Sequence, residues 1–207
     1  MTSVRKAVTI LLLLGCAFAT AAAAGLKPAP YPGPVGLEDV PIPQVSPLAP
    51  PRAVHLGQTI DGVKCQTVEK VAFHIHAHLA IFVQGKQRQI PYGIGIGPPL
   101  AGENGKAGPF VTQGSCFMWM HTHTADGIIH MEAPKQITFD LGQFFDIWGQ
   151  KLSKSQVGPA KGKVTVLVNG RPYSGDPRSI TLKSHEQIQL EVGTPLVAMQ
   201  KISFGQL

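Results

Sequence analysis

A chain of 207 residues with a net charge of +6 and only 14% Asp, Glu, Lys and Arg carries its charge thinly. Its one local basic cluster, Lys151, Lys154, Lys161 and Lys163, falls in a Gly/Pro-containing loop with no interleaved aromatics, which argues against a nucleic-acid partner. Three cysteines are too few for a disulfide scaffold, so a hydrophobic core has to hold the fold.

Residues 1–24 read as an export signal. Arg5 and Lys6 form a positive start, Ala7 to Leu14 an apolar run, and Ala22-Ala23-Ala24 a small-residue cleavage site before Gly25. That pattern predicts a periplasmic or secreted protein. Leu13-Leu14-Gly15-Cys16 also resembles a lipobox, and only a lipidated Cys16 would put the protein on a membrane. Residues 25–54 hold nine prolines, which lack amide donors and favour polyproline II, so a disordered spacer is expected there. Residues 55–207 are then one domain. With the signal removed, Cys65 and Cys116 remain, and an even count in an oxidising compartment predicts a disulfide; a thiolate metal ligand is the rival.

Within 71–83, Val71, Phe73, Ile75, Ala77, Leu79, Ile81 and Val83 alternate with a face bearing His74, His76 and His78. A period of two predicts a strand with one apolar and one histidine face. Gln84-Gly85-Lys86 predicts a turn into a second strand. The Gly- and Pro-rich residues 93–109 lack a phosphate-binding signature and read as a surface loop beside the site. Cys116 to His123 predicts another strand, with Phe117, Trp119, His121 and His123 on one face and Met118 and Met120 on the other. The turn Thr124-Ala125-Asp126-Gly127 leads to a strand at 128–133 carrying His130 and Glu132. Asp140 is placed to cap a short helix, Leu141, Phe144, Phe145 and Trp148 give it an apolar stripe at i, i+3, i+4 and i+7, and Gly149 ends it. Val164–Val168 meets Asn169-Gly170, a strong hairpin signal, and further strands follow, with His185 in an exposed turn. The fold class expected is α+β and β-rich: one domain, a mainly antiparallel sheet and one short helix.

Six of the eight histidines lie in 74–78 and 121–130. Two histidines spaced His-x-His on a strand sit about 6.5–7 Å apart and can share an ion; His74 and His78, at about 13 Å, cannot. The candidate ligands are therefore His74, His76, His78, His121, His123, His130 and Glu132, with His76 the expected shared member of a mononuclear or dinuclear site. Imidazole suits copper and zinc alike. The nearby Met118, Met120 and Met131 would favour Cu(I), although the strand parity turns Met118 and Met120 away.

Together, His74-Ile75-His76-Ala77-His78-Leu79, His121-Thr122-His123, Gly127-Ile128-Ile129-His130-Met131-Glu132 and Leu141-Gly142-Gln143-Phe144-Phe145-Asp146-Ile147-Trp148-Gly149 resemble a set of secreted bacterial proteins of uncharacterised function. The resemblance spans most of residues 60–205 and implies an exported domain without an assigned activity. The expected function is copper or zinc sequestration or delivery, with an exported protein as a possible partner. One alternative is a metal-dependent hydrolase or lyase with Glu132 or Asp126 as base. The other is a structural or adhesion module without metal.

Overall fold

The computed structural model describes residues 29–207. The export signal, Cys16 and the first residues of the proline-rich stretch lie outside that range.

The histidine strand sits at the centre of a seven-stranded sheet. Its strands are β1 (Phe73–Val83), β2 (Lys86–Arg88), β3 (Met120–His121), β4 (Ile128–Ala133), β5 (Val164–Val168), β6 (Arg171–Tyr173) and β7 (Glu186–Val192). In space they run β6-β5-β7-β1-β4-β3, with β2 also paired to β1. β4 pairs antiparallel with the first half of β1, and β2 with its end. On the other edge β7 runs parallel to β1, from Ala77 to Val83. The sheet is strand-rich and mostly antiparallel, as expected, with this one parallel step making it mixed.

Both short hairpins have two central residues in the left-handed region: Gln84 and Gly85 at φ 51° and 73°, Asn169 and Gly170 at φ 50° and 82°. That turn geometry follows the twist of the flanking strands and fixes their register. The odd-numbered face of β1 joins Ile129 and Met131 of β4 and Ile188 and Leu190 of β7 in one apolar layer. Helix α1 (Leu141–Trp148) covers it, with Phe144, Phe145 and Trp148 fully buried. Each such side chain contributes roughly 1.5–3 kcal/mol on leaving water. Gln143 Oε1 accepts the Asp140 N–H at 2.9 Å at the start of the helix, and Gly149 closes it at φ 77°.

The opposite face is divided. One half carries the histidines. The other lies under Tyr31, Val40, Ile202 and Phe204, which pack on Ala80 and Phe82. Gln187, Gln189 and Glu191 of β7 accept the backbone N–H groups of Ile202, Gln200 and Val197, so polar side chains dock the C-terminal segment. Ala29–Pro30 pairs in parallel with Gln200–Lys201.

The described part of the proline-rich stretch is therefore not a free spacer. Tyr31, Val40, Ile42, Leu48 and Val54 are buried. Prolines keep this stretch out of the sheet, but its apolar side chains still find a surface, and Leu48 N–H reaches Gln89 O at 2.9 Å. Two further expectations change. Residues 101–113 form a hairpin, Ala101–Gly105 with Gly108–Gln113, instead of a loop. The strand expected from Cys116 to His123 is broken at Trp119 into Phe117–Met118, which pairs with Val63–Gln66, and β3. Cys65 and Cys116 are joined by a disulfide that holds that pair together, which removes a thiolate ligand from consideration.

Candidate metal centre

Sheet register assembles the cluster. His130 lies opposite His76 of β1 and opposite His121 of β3, so three adjacent strands place three imidazoles in one cross-strand row. The next row pairs Glu132 with His74, whose Nε2 is 3.0 Å from Glu132 Oε1. The chain leaves β3 just after His121 and brings His123 back over the row, with its ring 4.7 Å from that of His121 and 4.5 Å from that of His130. A close backbone approach makes this possible. Gly95 sits at φ 74°, where a Cβ would stand 2.3 Å from Met120 O.

The outer ring nitrogens settle the tautomers. His121 Nδ1 is 2.9 Å from Met118 O, and His123 Nδ1 is 2.5 Å from Val111 O. A carbonyl only accepts, so both Nδ1 atoms carry hydrogen. In the neutral rings both Nε2 atoms then present lone pairs, and these face each other at 3.1 Å. His130 has the opposite tautomer preference. Its Nε2 stands 2.7 Å from Glu38 Oε1, a close charge pair whose N–H departs from the line to the oxygen. Nδ1 is left facing His76 Nε2 at 3.1 Å and Glu132 Oε1 at 3.6 Å.

His121, His123, His130 and Glu132 thus bring four donor atoms within 4.8 Å of one another, all from buried residues. His74, His76 and His130 form a second group of the same kind. Donors on a tetrahedral ion with bonds of about 2.0–2.1 Å lie about 3.3 Å apart. The 3.1, 3.6 and 4.0 Å separations within the first group bracket that value. Buried carboxylate oxygens without a hydrogen-bond partner also gather here, Glu132 Oε2 and Glu38 Oε2.

Burial keeps most of these rings neutral, which is the form that binds metal. It pushes His121 well below its ordinary value and His123 below it, with help from the charge of His130, and takes His76 down to about 3. His130 goes the other way. Burial alone would lower it, but contacts with Glu132 and Glu38 raise it to about 9. It holds a proton where an ion would compete for Nδ1.

These shifts predict a pH profile for the metal-free protein. A lowered histidine pKa stabilises the fold above the unfolded value of about 6.5 and loses that contribution as pH falls. His76, His121, His123 and His78, the last lowered to about 4 by burial, all act in this sense. The raised His130 stabilises below about 6.5, and its contribution is lost as pH rises through about 9. Urea midpoints of apoprotein should therefore be lower at pH 5 and at pH 9 than at pH 7. A midpoint that climbs from pH 7 to pH 9 would contradict the assignment to His130.

Some expected residues take other places. His78 is buried under Tyr31 with its ring edge-on at 4.5 Å, and its Nε2 is 3.1 Å from Asp126 O, apart from both donor groups. The residue common to the two groups is His130, not His76. Asp126, a candidate base, is fully buried, and its Oδ1 accepts the Ile128 N–H at 2.9 Å. Burial and the charge of Glu38 hold it well above the usual carboxylate range. Met118, Met120 and Met131 lie in the core. His185 is exposed as expected, with Nε2 2.7 Å from Leu207 O.

Two acidic residues escaped the sequence pattern. Glu38 comes from the proline-rich stretch, where it and Asp39 are the only acidic residues between 25 and 54, a faint signal. Glu69 lies at the mouth of the cluster, with Oε1 3.6 Å from His123 Nε2 and 3.8 Å from His121 Nε2. The cluster forms one wall of an open cavity of about 370 Å³ that Glu69, Phe110 and Thr112 also line. Phe110 stacks on His123 at 5.1 Å, so the hairpin at 101–113 does flank the site.

The fold and the donor set together define a strand-rich protein with a buried His/Glu cluster that could hold a metal ion. Comparison with protein-family models, with curated proteins and with solved structures found no match, so the functional reading rests on the site itself.

Proposed function

We propose that the protein binds one divalent transition-metal ion, zinc or cupric copper, through His121, His123, His130 and Glu132, and that it sequesters or delivers that ion outside the cytoplasm. The observation that carries this reading is the pair of Nε2 lone pairs facing at 3.1 Å, each aimed by an Nδ1 hydrogen bond to a backbone carbonyl. Without a cation or a shared proton between them the pair is repulsive; with an ion it is a preset chelate. Glu38 behind His130 repeats the arrangement in which a carboxylate orients a ligating ring. Met118, Met120 and Met131, the methionines near the cluster in sequence, sit in the core and not among the donors, which favours a divalent ion over Cu(I). The disulfide suits an oxidising compartment, and an exported partner fits the delivery role.

Protein purified without a histidine tag, stripped and titrated with Zn²⁺ or Cu²⁺, should take up one equivalent at micromolar affinity or better. Glu38→Gln should weaken that uptake by about 10- to 100-fold, because the ring loses its orienting charge. Absence of uptake at micromolar metal would overturn the proposal and leave the reading of a structural or adhesion module.

A second reading rests on Glu69. Burial and the charge of Glu132 raise its pKa, and it sits between the donor atoms and the cavity. In a metal-dependent hydrolase or lyase it would be the base for a water molecule in that cavity. Glu69→Gln would then remove turnover while metal stays bound.

A further inference from the structure

The two donor groups share one residue, His130. Glu38 stands 2.7 Å from His130 Nε2, so only Nδ1 of that ring is free. On one side Nδ1 faces Glu132 Oε1 at 3.6 Å, in the group with His121 and His123; on the other it faces His76 Nε2, in the group with His74. His76 Nε2 is 3.1 Å from it, close to the separation of neighbouring donors on an ion. Glu132 also lies between the groups, with Oε1 3.0 Å from His74 Nε2 and 4.0 Å from His121 Nε2. The groups differ in access. All four inner donors come from buried residues, whereas the His74 side chain is 39% exposed at the cavity side.

We propose that His74, His76 and His130 form an outer site for the same divalent ion, and that the ion passes between outer and inner sites by exchanging ligands around His130. This rests on the metal-binding reading above and adds a route to it. One ring nitrogen has one lone pair for one ion, so the two sites fill in turn and not together. An ion arriving from solvent or a partner meets the exposed His74 first. His74 and His76 then hand it to His121, His123 and Glu132 while His130 Nδ1 stays bound, so the ion is never stripped of all its ligands. On loading, the His130 Nδ1–H bond breaks, its electron pair goes to the ion and its proton leaves to solvent through the open cavity; during the transfer itself only bonds to the ion change.

Co²⁺, whose visible spectrum reports its ligand set, is the probe. Wild-type protein should bind one Co²⁺ per chain. His123→Ala, which disables the inner site, should still bind one Co²⁺, about 10- to 100-fold more weakly and with a changed spectrum. Adding His74→Ala to that variant should remove the residual binding. In the otherwise wild-type chain, His74→Ala should slow release of Co²⁺ to excess EDTA about tenfold or more, since affinity and exchange rate are separable through the dissociation step. Because His74 is exposed, that variant tests the route even if His123→Ala fails to fold. Two Co²⁺ per wild-type chain would overturn the shared atom. Unchanged release from His74→Ala, or no binding by folded His123→Ala, would overturn the outer site. If wild-type protein takes up no Co²⁺, the metal-binding reading falls as well; if it binds one and the His74 arms are flat, only the transfer route falls.

Discussion

His130→Ala is expected to abolish metal uptake and to cost the apoprotein about 3–5 kcal/mol of stability. The loss of binding follows from position, since His130 is the residue common to both donor groups. The loss of stability follows from what remains behind. Glu38, at 6% side-chain exposure, relies on His130 for compensation, and Glu132, at 3%, is shared between His130 and His74. Alanine would leave Glu38 buried without its partner and Glu132 with His74 alone, and it is the uncompensated charge that is expensive, more than the missing contact. A loss of this size is a large part of the total stability of an ordinary domain. In a domain of this length it corresponds to a fall of about 10 °C in thermal midpoint. Adding Glu38→Gln removes one of the stranded charges and should recover part of the loss, although metal uptake should not return. Calorimetry and a Zn²⁺ titration read the two effects separately. Stoichiometric uptake by His130→Ala would show that the ligand set is wrong.

Breaking the disulfide is expected to be similarly costly. The bridged cysteines are 51 residues apart, and closing a loop of that length in the unfolded chain accounts for about 4 kcal/mol in the chain-entropy account. The consequences extend to the site. The bridge ties Val63–Gln66 to Phe117–Met118. Trp119, directly after that pair, donates from Nε1 to Gln66 Oε1 at 2.7 Å, and its carbonyl accepts the Glu132 N–H at 2.8 Å. Cys65→Ser with Cys116→Ser should lower the thermal midpoint by about 10 °C and weaken metal uptake through a loosened Glu132. A midpoint within a degree or two of wild type would show that the sheet holds these segments without the bridge.

Much of this was legible in the residues themselves. Alternation over 73–83 is a local property of a strand, so it identified both faces of β1 without any knowledge of its neighbours. The two hairpin turns and the helix with its apolar stripe, Asp140 and Gly149 are equally local. Pairing is not local. Nothing in Glu186–Val192 says that it lies parallel to β1, because alternation specifies which face is buried and leaves the partner open. The same limit explains His78. Its spacing matches that of His74 and His76, yet it lies under Tyr31, a residue 47 positions earlier that the sheet pattern could not bring there. Glu38 was hidden by a correct premise applied too far. Prolines do keep this stretch out of the central sheet, but a chain outside that sheet can still bury Tyr31 and Val40 and carry a carboxylate to His130.

Glu38 gives the N-terminal stretch a thermodynamic stake in the site. The residue contacts the ring that both donor groups share, and its neighbours Tyr31 and Val40 hold the same stretch against Phe82 and Ile128. Coupling of this kind is reciprocal: whatever docking of the stretch adds to the affinity for an ion, an ion adds to the docking. Occupancy would then be readable at a distance, as resistance of residues near 38 to protease, on a surface far more accessible than the buried nitrogens that hold the charge.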